Sequence, residues 1–373
     1  MTNSAIRTTA SVCAVLLGAF VATGFVSSAY KQEQAKLGDR HFQAGRKLTA
    51  ANDLAGAAEE FRKALLFEPD NQQYRLSLAT ALVSGNKLEE AESHLEQLSQ
   101  EDPTNGQINL LLARVALQEH HLNEAMESYQ RAVYEYWPPD ELNARRQARW
   151  ELIGLLEETG KNRDQLVGEL LQLYGNLPPH SDQRMRVGTM LLRNGADAEA
   201  AHVFRDILKD TDIQNGAEAL LDRLGAHLGL ARVAFRAGDF VEARHEYQRA
   251  LREDPKDGEA AAALQLTNDI VDDSPQLPNI SPNERLRRSQ DLLNRVEKDL
   301  EQCTGGGDDD SPLGQRLAAI KKVTGQKLND KDDAAAQFQQ AAQDLWKDRG
   351  SFCSQMHGKD PVLEAVLPRL GHE

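Results

Sequence analysis

The chain has 373 residues, with 58 Asp and Glu against 43 Lys and Arg, for a formal net charge of −15. That balance argues against a nucleic-acid binder, which needs clustered cationic charge to neutralise phosphates, and against broad docking on an anionic membrane surface. Aromatic residues make up only 5%, so a core of any size must rest on Ala and Leu, as in stacked helices that bury their faces on one another.

Residues 1–30 read as a signal peptide or an N-terminal membrane anchor. Arg7 precedes the uncharged run Ala10–Val26, and Ser27-Ser28-Ala29 supplies small residues for cleavage before Tyr30. The run is long for a secretory signal and short for a membrane span, so both outcomes stand. Cys13 is not a lipidation site by pattern, because Val12 occupies the place of a small residue. In either case the rest of the chain is expected in the periplasm or an equivalent extracytoplasmic space, with membrane contact only through this segment.

From about residue 38 a thirty-four-residue period sets in. Ala57, Phe61, Ala64 and Pro69 are followed by Ala91, Leu95, Leu98 and Pro103, then by Ala125, Tyr129 and Ala132, with Trp137 in the place of proline. The order returns as Leu166, Leu170, Leu173 and Pro178, as Ala200, Phe204, Ile207 and Asp212, and as Ala243, Tyr247, Ala250 and Pro255. A small residue and a bulky one four later share a helix face, and the breaker ends the helix. Before each set stands an apolar–small pair, Ala44-Gly45, Leu78-Ala79, Leu112-Ala113, Ile153-Gly154, Val187-Gly188 and Leu230-Ala231, which lets a first helix nest on the second. Gly85-Asn86, Gly160-Lys161, Gly195-Ala196 and Gly238-Asp239 fall where the chain reverses. Such self-similarity marks a solenoid.

These residues resemble the tetratricopeptide repeat (TPR) family, whose units are helical hairpins of this length. The resemblance implies an all-α superhelical solenoid of about six hairpins over 38–271, without catalytic chemistry and with a concave surface for a partner polypeptide. Two steps exceed the period, so extended first helices are expected around Asp140–Arg149 and Ala217–Leu224, and Asp257–Val271 reads as a solvating cap helix with Asp257 as N-cap.

A Pro-rich linker is expected at 272–283 and a small helical domain at 284–373, with helices over Pro282–Cys303, Leu313–Val323, Asp332–Trp346 and Pro361–Leu370. Cys303 and Cys353 are expected to pair. In an oxidising compartment their bridge would close a loop of about fifty residues, worth roughly 4 kcal/mol in the chain-entropy model.

Motifs for chemistry are absent. Gly305–Asp310 lacks the alternating ligands of a calcium loop, His120-His121 has no further metal ligands at a recognisable spacing, and no haem, zinc-protease, phosphate-loop or nucleophile-elbow motif occurs. No metal, cofactor or enzyme activity is expected.

In a solenoid of this kind the first helices line the groove. The residue after each apolar–small pair, and the one four later, place Arg46, Thr80, Arg114, Gln118, Thr189, Arg193, Arg232 and Arg236 there. Arginine forks suit a protein or peptide partner with an acidic segment, unless they pair with carboxylates on adjacent helices such as Glu151. The Lys-and-Asn pattern of relatives that grip a C-terminal carboxylate is missing. The reading is a non-enzymatic protein-interaction scaffold of the cell envelope. The alternatives are an accessory subunit of an envelope enzyme or secretion complex and a self-assembling structural subunit.

Overall fold

The computed structural model describes residues 27–211, 216–304, 311–325, 330–353 and 360–370. The apolar run Ala10–Val26, the loop Gly305–Asp310 and the side chain of Cys303 lie outside that description. Among the described residues no helix is long and apolar enough to cross a membrane, and no strand forms beyond one isolated bridge. Two compact units divide the chain, 1–169 and 170–373.

In the first unit, α1 (27–50) pairs with α2 (Leu54–Phe67), α3 (Gln72–Ser84) with α4 (Leu88–Glu101), and α5 (Gly106–Gln118) with α6 (Leu122–Tyr134). A short 3₁₀ turn at Pro139–Glu141 leads into α7 (Leu142–Thr159), and α8 (Arg163–Gly175) begins here. Side-chain caps start the helices. Asp53 accepts from the N–H of Gly56 at 2.9 Å, and Asn105 accepts from those of Gln107 and Ile108 at 3.0 and 3.3 Å.

The packing alanines behave as the spacing requires. Ala57, Ala91 and Ala125 are fully buried, as are Ala64 and Ala132. At Gly45 a Cβ would sit 2.6 Å from the Phe61 ring, so that close approach needs glycine. Gly154 does not repeat the pattern, because it is exposed with no atom within 4 Å of a Cβ position. At the turns, Gly160, Gly195 and Gly238 take left-handed φ of 60°, 72° and 81° as expected, and in the pair Gly85-Asn86 the left-handed residue is Asn86. Asn52, Asn86 and His120, each thirty-four apart, take the left-handed φ of 61°, 57° and 62°, whereas Gly85 has φ −87°. His120 therefore serves the chain reversal.

Trp137, at the place of proline, is buried and donates its indole N–H to the carbonyl of Ala132 at 2.6 Å. The neighbouring Tyr136 bonds Thr104 O and Gly106 N–H through its backbone at 3.1 and 2.9 Å. The end of the third hairpin is thus tied to the α4–α5 turn, and the chain restarts as the long α7 of 18 residues.

The second unit contains α9 (Asp182–Arg193), α10 (Asp197–Thr211), α11 (Ala217–Ala237), α12 (Phe240–Glu253) and α13 (Gly258–Asp273). At 21 residues, α11 is the second extended first helix. Gly188 and Gly229 both make room for the Phe204 ring, at 2.7 and 2.3 Å from their Cβ positions. Asp257 caps α13 as expected, accepting from Ala260 N–H at 2.9 Å.

The chain continues as α14 (Pro282–Thr304), α15 (Pro312–Thr324), α16 (Lys331–Phe352) and α17 (Pro361–Val366). These share one core with the last repeat. Phe240, Ile270 and Val271 pack with Leu293, Leu345 and Leu363, and Arg288 bonds the carbonyls of Val271 and Ser274 at 2.7 and 3.1 Å. The core continues across the Pro-rich stretch 272–283.

Two glycine substitutions separate close packing from helix propensity. A Cβ at Gly106 would lie 2.1 Å from the Trp137 indole nitrogen, so Gly106→Ala should cost about 1–3 kcal/mol by overpacking. Gly154→Ala meets open space and should gain up to about 1 kcal/mol. Urea unfolding followed by circular dichroism checks both; equal effects would refute the contrast.

Candidate peptide-binding groove

The first helices of the first unit lie side by side, α3 against α5 and α5 against α7. This row carries the expected groove residues Arg46 on α1, Thr80 on α3, and Arg114 and Gln118 on α5. Arg46 and Gln118 are exposed, and Arg46 forms no ion pair among the described residues. Thr80 turns its hydroxyl back to the carbonyl of Leu76 at 2.8 Å, a bond inside its own helix.

Arg114 does not stand open to a guest. Its Nε and terminal nitrogen donate to the two carboxylate oxygens of Glu151 at 2.9 and 2.7 Å, a bidentate fork from α5 to α7. The Tyr129 hydroxyl and the Gln147 amide each add a bond to Glu151, both at 3.1 Å. Burial alone would raise the Glu151 carboxyl, but the Arg114 fork and the two neutral donors outweigh it and hold it below its ordinary value of 4.5. The same fork raises Arg114 against the opposing effect of burial. Tyr129 is pushed up, first by burial and then by the Glu151 charge.

In the second unit, α9 and α11 are neighbours and carry Thr189, Arg193, Arg232 and Arg236. Thr189 bonds the carbonyl of Met185 at 2.9 Å. Arg232 reaches Glu259 at 2.5 Å, and Arg236 reaches Asp197 at 3.0 Å and the carbonyl of Leu192 at 2.5 Å. Of the arginines read as partner contacts, Arg114, Arg232 and Arg236 are therefore bonded within the chain, and Arg193 is engaged as well. Sequence spacing places them on one face, but the partners come from other helices: Glu151 on α7, Glu259 on α13 and Asp197 on α10. The presence of Glu151, four residues before Leu155 in the matching first helix, was the one linear sign of this.

A second polar row lies between the helices of each hairpin. His41 on α1 meets Glu60 on α2 at 2.8 Å, where Lys63 also donates at 2.7 Å. His227 meets Glu246 at 2.6 Å in the equivalent positions of the last hairpin, with Arg249 donating to the other oxygen. These pairs tie the two helices of a hairpin together. Among the described residues no group of His, Cys, Asp and Glu could hold a metal ion. His121 instead lies 3.7 Å from both Glu119 and Glu124.

Nested hairpins with side-by-side first helices define a helical-repeat protein of the tetratricopeptide class. Residues 42–142 match the family model described as the cytochrome c-type biogenesis protein H TPR domain, and residues 225–257 match the tetratricopeptide repeat, so the chain carries tetratricopeptide repeats in both units. No curated protein matches the chain. Among solved structures it is similar to PilF of Pseudomonas aeruginosa, at 15% identity and TM-score 0.39, over 64% of this chain and 99% of that one. PilW, a type IV pilus biogenesis factor, follows at 14% and 0.37, over 61% and 98%. The TPR2AB domain of yeast Sti1, solved with pHSP90, gives 16% and 0.31, over 81% and 98%. None of these similarities bears on what this chain binds.

The Arg114–Glu151 fork makes a pH-dependent contribution with a defined sign. Because the folded Glu151 carboxyl lies below its ordinary value, the stabilisation is complete above about pH 5 and is lost as pH falls through the lowered value. Glu151→Gln should cost about 1–2 kcal/mol at neutral pH and should flatten the loss between about pH 5 and pH 3. Urea midpoints across that range test this. An unchanged acid slope in the variant would be the contrary result.

Proposed function

We propose that this chain is a non-enzymatic scaffold of the cell envelope that captures a partner polypeptide along its first helices. The observation that carries the reading is the row of first helices α1, α3, α5 and α7, on which Arg46 of α1 and Gln118 of α5 are exposed. A row of this kind can hold an extended or helical segment without any reacting group. An acidic segment of the partner would meet Arg46 directly, while at Arg232 and Arg236 it would compete with Glu259 and Asp197 for the guanidinium.

The envelope assignment draws on the apolar run Ala10–Val26 and on the name of the family model, which places its members in cytochrome c-type biogenesis. On this reading residues 31–373 work outside the cytoplasm, and the partner is a polypeptide of an envelope assembly. An oxidising compartment also fits pairing of Cys303 with Cys353, which would join the ends of α14 and α16.

Site-specific photo-crosslinking in the native envelope tests the groove. A benzophenone side chain at Gln118 should trap a defined polypeptide, and one at Leu66, exposed on α2, should not. Equal trapping at both places would refute groove capture. Mass spectrometry of protein isolated without reductant should find the Cys303 and Cys353 peptides joined, and Cys303→Ser should lower stability by roughly 4 kcal/mol. Two free thiols would remove the disulfide.

A further inference from the structure

In the first unit the second helices α2, α4 and α6 follow one another in register, and the gaps between them are not alike. Between α2 and α4, Arg62 sends a guanidinium fork onto Glu90, at 2.7 Å from Nε and 2.8 Å from a terminal nitrogen. Arg62 lies five residues after the packing residue Ala57, and Glu90 one before Ala91. One repeat later the same register gives Glu96, five after Ala91, and Glu124, one before Ala125. The acceptor is kept while the guanidinium is replaced by a second carboxylate. Like charges at these positions repel, so the fork that closes the first gap cannot form in the second.

The second gap holds a cleft of about 260 Å³. Its floor is apolar, from Leu112, Val115 and Ala116 of α5, and Glu92 of α4 with Glu124 and Glu127 of α6 stand around it. Its one basic wall residue, Arg131, is committed to Asn109 and Ser128, each at 3.1 Å. Glu92 and Glu127 are exposed and form no ion pair among the described residues.

We propose that this cleft binds an arginine side chain of a partner polypeptide, its guanidinium on the Glu92, Glu124 and Glu127 carboxylates and its methylene stem on the α5 floor. Acidic residues alone would say little. The additional observation is internal to the chain: the equivalent position one repeat earlier already holds a guanidinium, bidentate on the equivalent carboxylate. A long side chain with an apolar stem and a cationic head matches a floor and rim of this kind. The site lies on the second-helix side and does not depend on capture along the first helices.

The full chain, with valine methyl groups labelled, is titrated with the peptide acetyl-Leu-Arg-Leu-amide and with its norleucine counterpart, following Val115 by NMR. A saturable shift is expected with the arginine peptide alone. Glu124→Gln should weaken it up to about fivefold, the range for one partly exposed ion pair. Glu96→Arg should abolish it by rebuilding on Glu124 the fork that Arg62 makes on Glu90, without lowering the melting temperature. Absence of a saturable shift, an equal response to norleucine peptide or to calcium chloride, or full binding by Glu96→Arg would each overturn the proposal.

Discussion

The fold depends on how closely two helices can approach. Several hairpins close where an alanine or glycine on one helix meets a ring or branched side chain on its neighbour, and interaxial distance follows from the residues at that contact. Phe61 against Gly45, and Phe204 between Gly188 and Gly229, are close instances. A hairpin of this size cannot bury its apolar face alone, so each relies on the next, and stability accumulates between nearest neighbours. The last repeat meets the same requirement with α13, followed by the helices that join Phe240, Ile270 and Val271 in one core.

Charge is added to this frame as a set of ties between helices. An acidic chain commits many of its arginines internally: Arg62 to Glu90, Arg114 to Glu151, Arg223 to Glu253 and Arg349 to Asp299. Forked guanidinium–carboxylate bonds are directional, so they select one helix orientation as well as adding attraction. Not every buried charge is well served. Arg149 and Glu169 face each other at 3.6 Å, and one nitrogen of the first and one oxygen of the second lack a hydrogen-bond partner. A pair of this geometry gains little against its desolvation, and the Tyr134 hydroxyl supplies the remaining bond to Glu169.

The period made the hairpins, the extended α7 and α11 and the Asp257 cap legible, because each follows from contacts within one chain segment or from a fixed register. The left-handed positions were only partly legible. Glycine draws attention at such sites, yet Asn86 and His120 adopt the conformation where a neighbouring glycine, or none, is present. The groove was legible as a face and not as a binding surface. Which arginine is paired depends on a carboxylate that arrives from another helix, and Thr80 and Thr189 spend their hydroxyls on their own helices. Gly154 was misread for the same reason, since spacing reports a register and cannot report what stands opposite it.

The turn positions 52, 86 and 120 carry a wider consequence. Asn, Asn and His meet one backbone demand there, a φ near +60°, and glycine meets it at 195 and 238. What is preserved along the array is a shape of main chain, and the side chain attached to it can change without disturbing the hairpin. Such corners give a repeat protein places where new surface chemistry can be tried while the stack beneath stays as it was.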